Sequence, residues 1–324
     1  MTRTDEGPPV ALTMGDPAGI GPEVLLKALG RSEADFRPVI FGAANYLRSL
    51  DRDLGTELDW SRIELVSTGD FPYPPSWGKV SRDCGQLAME ALSQASRYCR
   101  DGGAHLLVTA PVNKEALHLA GFPSPGQTEF VASFFGESRP SMAFFSDPLN
   151  VLLATTHIPL RDVPDSLSAE DLVRRSEQFR EALYRLLGRP PLIAVCGLNP
   201  HASEGGLFGD EEETVVKPAL DQLRRRFGPD AFSGPYPADT VFWKAIHAEF
   251  DGVVALYHDQ GLIPVKLLAF DRAVNVTLGL PIVRTSPDHG TAFDIAGSNQ
   301  ADPGSMVAAI EYGLKLTAHL RRPA

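Results

Sequence analysis

The sequence predicts an α/β protein of two α/β/α lobes with a central cleft, in which the sheet strands are mainly parallel. Short apolar runs alternate with helical patterns from one end of the chain to the other, which is typical of α/β folds. The runs are apolar at nearly every position, as expected for parallel strands that are covered on both faces. The chain of 324 residues is also long enough for one large domain or two ordinary ones.

Each element follows from a local signal. Short apolar runs predict the strands, and the first helix is placed after a proline because proline is tolerated in the first turn of a helix. Leu87, Ala91 and Ala95 recur at helical spacing, and the proline-rich residues 71–77 predict a surface loop. In chain order, the predicted elements are strand 10–14, helix 22–29, strand 38–42, helix 86–100, strand 105–110, helix 172–187 and strand 191–197.

The composition excludes several classes of protein. A net charge of −11 leaves no global basic surface for nucleic acid and nothing that attracts an anionic membrane. No apolar stretch approaches the roughly 20 residues that span a bilayer. The polar N-terminus lacks the apolar core of a secretory signal, so we expect a cytoplasmic protein. The cysteines have no CxxC spacing, which predicts reduced core thiols at Cys84, Cys99 and Cys196.

Three histidines, His157, His201 and His258, each come directly after a strongly apolar run. In open α/β sheets, ligands collect beyond the carboxyl ends of parallel strands. Three imidazoles delivered to that edge could form an open divalent-metal site that polarises a substrate oxygen. Four other histidines lack this context and are expected to be structural or surface residues: His105, His118, His247 and His319.

A glycine-rich segment, residues 14–23, lies between the first predicted strand and the first helix. Its glycines would let the backbone approach a ligand closely, and the helix N-terminus favours an anion, but a tight strand–helix turn fits equally well. The spacing matches neither a Walker loop nor GxGxxG, so there is no standard Rossmann motif. Lys114 could meet a phosphate or carboxylate as a point charge, or be an ordinary solvated lysine in the first turn of a helix.

Polar residues near the middle of the chain form two further candidate sites. Gln127 and Thr128 could donate hydrogen bonds to a substrate oxygen, although residues 127–129 could equally cap a helix N-terminus. The loop at residues 199–206 contains a polar cluster and two glycines and follows a predicted strand, which favours a ligand-binding loop over a connector.

The richest stretch of candidate residues lies nearer the C-terminus. Lys266 is predicted in a loop or the strand after it, where it could simply face solvent. Together with Asn275 and Arg284 it would suit a substrate that carries phosphate or carboxylate groups. His289 and Asn299 could hydrogen-bond to a planar ring, which the small residues between them would allow to lie against the backbone.

Taken together, these motifs resemble the 4-hydroxythreonine-4-phosphate dehydrogenase family, NAD-dependent enzymes of pyridoxal phosphate biosynthesis. Residues 289–303 also resemble the adenosine-binding loop of isocitrate and isopropylmalate dehydrogenases. This implies an isocitrate/isopropylmalate dehydrogenase-like fold that binds NAD without a standard Rossmann motif. The family resemblance covers nearly the whole chain and is strongest at residues 14–23, 199–202, 238–240, 257–261 and 275–290.

The resemblance implies a discontinuous NAD-side lobe, residues 1–130 plus 286–324, and a metal, substrate and dimerisation lobe, residues 131–285. It implies a homodimer in which one protomer contributes a histidine to its partner's metal site, with one divalent ion (Zn, Mg, Mn or Co) per site. The residues that it assigns are His157, His201 and His258 to the metal, Gln127, Thr128, Lys266, Asn275 and Arg284 to a phosphorylated substrate, and His289, Gly290, Ala292 and Asn299 to NAD.

The implied reaction is metal-assisted oxidation of the secondary alcohol of 4-phosphooxy-L-threonine, followed by decarboxylation to 3-amino-2-oxopropyl phosphate. Lys266 would assist the proton transfer. Gln127 is a departure, since the family usually has histidine there and glutamine cannot carry a positive charge. The alternatives that stay open are a related dehydrogenase of threonate or erythronate 4-phosphate or of a carboxylated cis-dihydrodiol, a metal-dependent hydrolase or aldolase, and a non-catalytic metabolite-binding protein.

Overall fold

The chain divides into two compact units. A computed structural model describes residues 7–124, 126–136 and 139–318. Unit 1 comprises Met1–Pro140 and Leu280–Ala324, and unit 2 comprises Ser141–Gly279. Unit 1 is therefore discontinuous in sequence, and unit 2 is inserted between its two parts.

The described residues of unit 1 form five strands, all parallel, in the order β3-β2-β1-β4-β11. The central strands are almost fully buried, because helices pack against this sheet and its side chains have no polar face to present to water. Its elements are β1 (Pro9–Thr13), α1 (Gly21–Arg31), β2 (Arg37–Gly42), α2 (Ala44–Leu54), β3 (Glu64–Ser67), α3 (Arg82–Arg100), β4 (Leu106–Thr109), α4 (Lys114–Leu119), α5 (Gln127–Ser133), β11 (Val283–Pro287) and α11 (Gly304–Thr317).

Unit 2 contains six strands in the order β10-β5-β6-β9-β7-β8. The strands β6, β9, β7 and β8 run parallel to one another, whereas β5 pairs antiparallel with both β10 and β6. Its elements are β5 (Ser141–Phe145), β6 (Val151–Leu153), α6 (Val163–Ser166), α7 (Ala169–Leu187), β7 (Ile193–Cys196), α8 (Lys217–Phe227), β8 (Phe232–Tyr236), α9 (Ala238–Ile246), β9 (Gly252–Ala255), α10 (His258–Ala269) and β10 (Val274–Leu278).

The predicted α/β class is confirmed, and the predicted strands and helices all lie within or across observed elements. One placement is wrong. Lys266 was expected in a loop or the strand after it, but it lies inside α10, which continues through Pro264 to Ala269. Pro264 is the seventh of the twelve residues of α10 and has no N–H to donate to the carbonyl of Gln260, which costs the helix one backbone hydrogen bond. The helix continues past it, and Val265 and Ala269 on its next turn are buried in the hydrophobic core, which stabilises it.

The cysteines and the remaining histidines have the environments that the sequence indicated. Cys84, Cys99 and Cys196 are free thiols in the core. His105, His118 and His247 are exposed, and His319 lies outside the described residues. Within the described part of the chain, no helix is both long and apolar enough to cross a bilayer.

Candidate active site

Three adjacent parallel strands of unit 2 lead into the three candidate metal histidines. The strand β6 pairs in parallel with β9, and β9 pairs in parallel with β7. His157, His258 and His201 follow β6, β9 and β7, respectively. Because the carboxyl ends of parallel strands meet at one edge of a sheet, the fold delivers all three imidazoles to the same edge of unit 2.

Two of these histidines are close enough to share one ion. The ring centroids of His157 and His258 are 5.5 Å apart. Imidazole nitrogens bind Zn²⁺ at about 2.0–2.1 Å, so two rings on one tetrahedral ion have centroids about 5 Å apart. His258 Nδ1 lies 2.7 Å from a carboxylate oxygen of Asp259, and this contact orients the ring and leaves Nε2 for a metal. The chemistry of this pair therefore fits a divalent cation.

His201 lies in a loop with an unusual backbone. His201, Ala202, Ser203 and Glu204 all have positive φ, between 46° and 69°. Such left-handed residues cost roughly 1–2 kcal/mol each and cluster at functional sites. Glu212 stabilises the start of this loop. Its buried carboxylate accepts hydrogen bonds from the backbone N–H groups of Leu198 and Asn199, which precede His201.

The ring of His201 packs 6.2 Å from that of Phe208, on its own loop. Among the described residues, no cluster of three or more histidine, cysteine, aspartate or glutamate side chains could enclose a metal ion. Within one protomer the structure thus brings together His157 and His258 and leaves His201 outside that pair.

Lys266 and Asn275 also belong to unit 2. Lys266 is half-buried on α10, two turns after His258, and its Nζ lies 5.2 Å from the centroid of the Phe270 ring. Asn275 lies on β10, where its backbone pairs with Phe144 of β5. The side-chain oxygen of Asn275 is buried and has no hydrogen-bond partner among the described residues, which is costly unless a ligand or water supplies one.

A buried arginine of unit 1 is the strongest candidate for binding an anion. Arg284 on β11 is only 3% exposed, and its Nη2 donates a 2.6 Å hydrogen bond to the hydroxyl of Thr109 at the end of β4. Its Nη1 lies 3.4 Å from the hydroxyl of Thr128. Burial lowers the pKa of Arg284 to about 10, and the negative charge of Glu129 partly opposes that shift. A buried guanidinium of this kind gains stabilisation from an anionic ligand.

Gln127 begins α5, next to Thr128. Its side-chain amide nitrogen lies 3.4 Å from the carbonyl oxygen of Ala110, and its amide oxygen is buried without a hydrogen-bond partner among the described residues. Residues 127–129 do not cap the N-terminus of α5. The N-cap position is occupied by Gly126, which has no side chain, and Gln127 is already the first residue of the helix. Lys114, at the start of α4, is exposed.

The candidate NAD loop, residues 289–299 of unit 1, contains no regular helix or strand. Ala292 and Asn299 both have positive φ, and Gly290 has open space where a side chain would project. His289 Nδ1 contacts the carbonyl oxygen of Gly290, whereas its Nε2 is buried and has no hydrogen-bond partner among the described residues. An orphaned ring nitrogen beside an open glycine suits hydrogen bonding to a nucleotide.

A buried carboxylate, Asp16, was not among the predicted site residues. It lies in the glycine-rich segment after β1 and is 1% exposed. One oxygen accepts a hydrogen bond from the backbone N–H of Ala18, and the other has no partner among the described residues. Burial raises the pKa of Asp16 to about 6, although the hydrogen bond from the backbone N–H of Ala18 lowers it. The signal in the sequence that could have identified Asp16 is its position directly after Gly15 in the glycine-rich segment. In the structure, Gly15 has a φ of 73°, a conformation that a residue with a side chain adopts only with strain.

We expect Asp16→Asn to stabilise unit 1 above neutral pH. The carboxyl ionises more easily in the unfolded chain, whose pKa is near 3.8, than in the fold, so stability falls as pH rises between these two pKa values. The amide removes this penalty, which amounts to about 3 kcal/mol near pH 8 and vanishes below about pH 4. Urea unfolding at both pH values measures it, with the exposed Asp70→Asn as control. An equal gain at both pH values would contradict ionisation as the cause.

Comparison with known proteins places the chain in a family. The sequence profile of the family described as "Pyridoxal phosphate biosynthetic protein PdxA" matches residues 31–313. A 4-hydroxythreonine-4-phosphate dehydrogenase from Desulfosudis oleivorans is 42% identical over 335 residues, with 98% of each chain covered. A D-threonate 4-phosphate dehydrogenase from Salmonella typhimurium is 41% identical over 326 residues, with 95% of this chain and 98% of the relative covered.

A solved structure gives the same result. The crystal structure of 4-hydroxythreonine-4-phosphate dehydrogenase from Klebsiella pneumoniae superposes with a TM-score of 0.81 at 39% identity, covering 96% of this chain and 99% of that one. Sequence and fold agree over nearly the full length, so the similarity is not confined to one motif. The chain belongs to the PdxA family and is an oxidoreductase, a dehydrogenase of this family.

Proposed function

We propose that the protein is an NAD-dependent and divalent-metal-dependent dehydrogenase of a phosphorylated four-carbon acid. The first candidate substrate is 4-phosphooxy-L-threonine, whose secondary alcohol is oxidised to a β-keto acid that loses carbon dioxide and gives 3-amino-2-oxopropyl phosphate. The observation that carries the proposal is the spacing of His157 and His258, 5.5 Å between ring centroids, at the carboxyl edge of the unit 2 sheet. A bound divalent cation would lower the pKa of the substrate hydroxyl, and NAD would accept the hydride.

The protein's own residues bind and orient the substrate. Arg284 supplies a fixed, buried positive charge for an anionic group, and the hydroxyl of Thr128 lies beside it. Asn275 offers a buried side-chain oxygen that needs a donor, which a substrate hydroxyl or ammonium group supplies. Lys266 is our candidate for moving the proton of the hydroxyl group. Such positioning converts binding energy into rate.

We propose that NAD lies on residues 289–299. His289 and Asn299 would hydrogen-bond to the nucleotide, and the backbone at Gly290 and Ala292 would lie against it. The support is the buried, unpartnered Nε2 of His289 and the open space at Gly290. This loop replaces the phosphate-binding glycines of a Rossmann motif, which the chain lacks.

We further propose a homodimer that completes each metal site. The helix α10, which begins with His258, and the residue directly after it expose an apolar row at Ile263, Leu267 and Phe270, which are 58%, 80% and 73% exposed. These residues recur at helical spacing, and so large an apolar face is typical of an interface. The loop of His201 also carries an exposed apolar tip, Leu207 and Phe208. A second copy that covers these surfaces would bring its His201 to the pair formed by His157 and His258.

The test is NADH formation from 4-phosphooxy-L-threonine by the chelated enzyme, before and after Zn²⁺ or Mg²⁺ is added back. The proposal expects turnover that needs both NAD and the metal. Turnover of a phosphorylated substrate without NAD would favour a metal-dependent hydrolase or aldolase instead. If the folded enzyme binds NAD but does not turn over 4-phosphooxy-L-threonine, the proposed dehydrogenase activity stands and the proposed substrate is wrong.

A specific observation favours a second substrate, threonate 4-phosphate. By its resemblance to the family, this chain has Gln127 where most members have histidine, so the side chain at position 127 cannot carry a positive charge. A D-threonate 4-phosphate dehydrogenase is as similar to this chain as the 4-hydroxythreonine-4-phosphate enzymes are, at 41% identity. Parallel assays with both substrates decide between them through the ratio of kcat/KM values. Erythronate 4-phosphate and carboxylated cis-dihydrodiols complete the panel.

We expect Gln127→His to lower KM for the phosphorylated substrate about tenfold near pH 6, because an imidazolium adds a charged hydrogen bond to an anion. The gain should fade near pH 8, since an ordinary histidine loses its charge around pH 6.5. Initial rates across this pH range measure the effect. Gln127→Asn, which shortens the amide without adding charge, serves as the control and should bring no gain. A pH-independent improvement would show that shape, not charge, matters at this position.

A further inference from the structure

The proposed NAD loop depends on α1 for its shape. The loop has no regular secondary structure of its own, yet the backbone N–H of Ile20 donates a 3.0 Å hydrogen bond to the carbonyl of Thr291. Gly19 lies so close that a Cβ atom there would stand 2.8 Å from Thr291 and 3.2 Å from Phe293. The first half of the loop therefore packs against the glycine-rich segment before α1. The absence of a side chain at Gly19 allows this close approach.

The second half of the loop is held by an ion pair. Glu23 and Lys27 lie one turn apart on α1, so they share a face of the helix, and Lys27 Nζ is 2.7 Å from Glu23 Oε1. The same ammonium donates to the carbonyls of Asn299, at 3.1 Å, and Ala301, at 3.0 Å. All three N–H donors of Lys27 are thus used.

Glu23 completes this clasp, which we define as Glu23, Lys27 and the backbone of residues 299–301. The oxygen of Glu23 that meets Lys27 also accepts a 2.9 Å hydrogen bond from the backbone N–H of Ala301. The side chain of Glu23 is 4% exposed and that of Lys27 13% exposed. Charged hydrogen bonds shielded from water to this degree are among the strong ones, because solvent competes poorly for them.

We propose that Glu23 and Lys27 are positioning residues for the dinucleotide: they fix the backbone around Asn299 in the shape that binds NAD. This inference rests on the proposed NAD site at residues 289–299. The clasp itself touches only loop backbone, so its effect on NAD is indirect. Its physical basis is preorganisation, because a loop held in its binding shape before the ligand arrives loses less conformational entropy on binding.

The backbone conformation of Asn299 shows why this segment needs the hydrogen bond from Lys27. Asn299 has a φ of 60°, a left-handed conformation that non-glycine residues adopt at a cost. Its carbonyl group points at Lys27, and that hydrogen bond offsets the cost. Without Lys27, the segment is free to relax to conformations in which the Asn299 side chain no longer has the orientation that the nucleotide requires.

The test compares Lys27→Met with wild type in two measurements. In the free enzyme, hydrogen–deuterium exchange of residues 299–303 should be about tenfold faster, since the hydrogen-bonded clasp is opened. In titration calorimetry, the Kd for NAD should rise about tenfold. In turnover, KM for NAD should rise equally, with kcat within about twofold of wild type and KM for the phosphorylated substrate unchanged.

Two further variants make the result specific. Lys27→Arg keeps the charge and several donors, so it should recover most of the NAD affinity. Lys217→Met breaks the exposed ion pair of Lys217 with Glu213, which has the same spacing on a helix of unit 2, and should change neither exchange at 299–303 nor the Kd for NAD. A purely structural role for Lys27 would lower the melting temperature without shifting the Kd for NAD.

Each outcome separates this inference from the proposed function. Faster exchange at 299–303 with an unchanged Kd for NAD overturns the positioning role when His289→Ala does weaken NAD binding. When neither His289→Ala nor Lys27→Met affects NAD binding, the proposed NAD site itself is wrong. Unchanged exchange in Lys27→Met overturns the clasp, whatever the fate of the cofactor site.

Discussion

His157→Ala should abolish metal binding and lower kcat/KM about 1,000-fold or more. The imidazole of His157 is one of two rings 5.5 Å apart at the carboxyl edge of the unit 2 sheet, and removing it leaves His258 as the only remaining ligand of that pair. A metal that polarises a substrate oxygen contributes several kcal/mol to transition-state stabilisation, and each 1.36 kcal/mol is worth a factor of ten in rate. Metal content by elemental analysis and turnover with added Zn²⁺ or Mg²⁺ measure both effects.

We expect His157→Ala to fold like wild type, so that a loss of activity reports on the metal site and not on stability. His157 is exposed, so alanine leaves no cavity in the core, and the strand before it, β6, is buried independently of the side chain. His247→Ala is the matched control, because His247 is an exposed histidine of the same unit that follows α9 and contacts Trp243. We expect it to keep its metal and its activity. A fully active, metal-loaded His157→Ala enzyme would refute the proposed metal site.

The position of His157 and His258 at the carboxyl edge of a sheet could be predicted because it depends only on the residues directly before them. The residues before His157 and His258 are apolar without alternation, which only strands covered on both faces require. A histidine directly after such a strand must lie at the carboxyl edge, whatever the rest of the fold does. Strand order could not be predicted in the same way, since the adjacency of β6, β9 and β7 depends on pairings between residues about 60 to 100 positions apart.

Other parts of the site could not be predicted, for physical reasons. The spacing of His157 and His258 and the separation of His201 depend on loop backbone, and four consecutive positive φ angles at residues 201–204 follow from no sequence rule for non-glycine residues. Lys266 was predicted in a loop or the strand after it, but it lies in α10, a helix that contains Pro264 and is stabilised by the burial of Val265 and Ala269 in the core. Tertiary packing outweighed the local signal there.

Buried polar groups are the second class of feature that the sequence concealed. Asp16 is an ordinary acidic residue in sequence, and only the folded structure shows that it is 1% exposed. The clasp of Lys27 with residues 299–301 joins positions more than 270 residues apart. By contrast, Arg284 was already a candidate from the sequence, because a guanidinium suits a substrate that carries phosphate or carboxylate groups, and the structure shows that it lies in a buried strand.

Arg284→Met should raise KM for the phosphorylated substrate about 100-fold and leave the Kd for NAD unchanged. The guanidinium is 3% exposed and held by the hydroxyls of Thr109 and Thr128, so it presents its charge in a fixed orientation. A charged hydrogen bond is worth about 1.5–3 kcal/mol, and the loss of about 3 kcal/mol corresponds to a factor of about 100. Initial-rate kinetics with each substrate varied, and calorimetry with NAD, measure the two quantities.

The choice of methionine makes this result interpretable. Methionine is similar in length to arginine and removes the cost of burying a charge, which is the cause of the lowered pKa of Arg284, so we expect the variant to fold with a melting temperature close to that of wild type. Arg284→Lys keeps a charge but loses the planar fork, and should recover only part of the affinity. Arg180→Met removes a half-buried arginine of α7 that packs 4.4 Å from the Phe227 ring, and should leave both substrates unaffected. If Arg284→Met binds the phosphorylated substrate as wild type does, the buried guanidinium stabilises only the fold, and the anion is bound elsewhere.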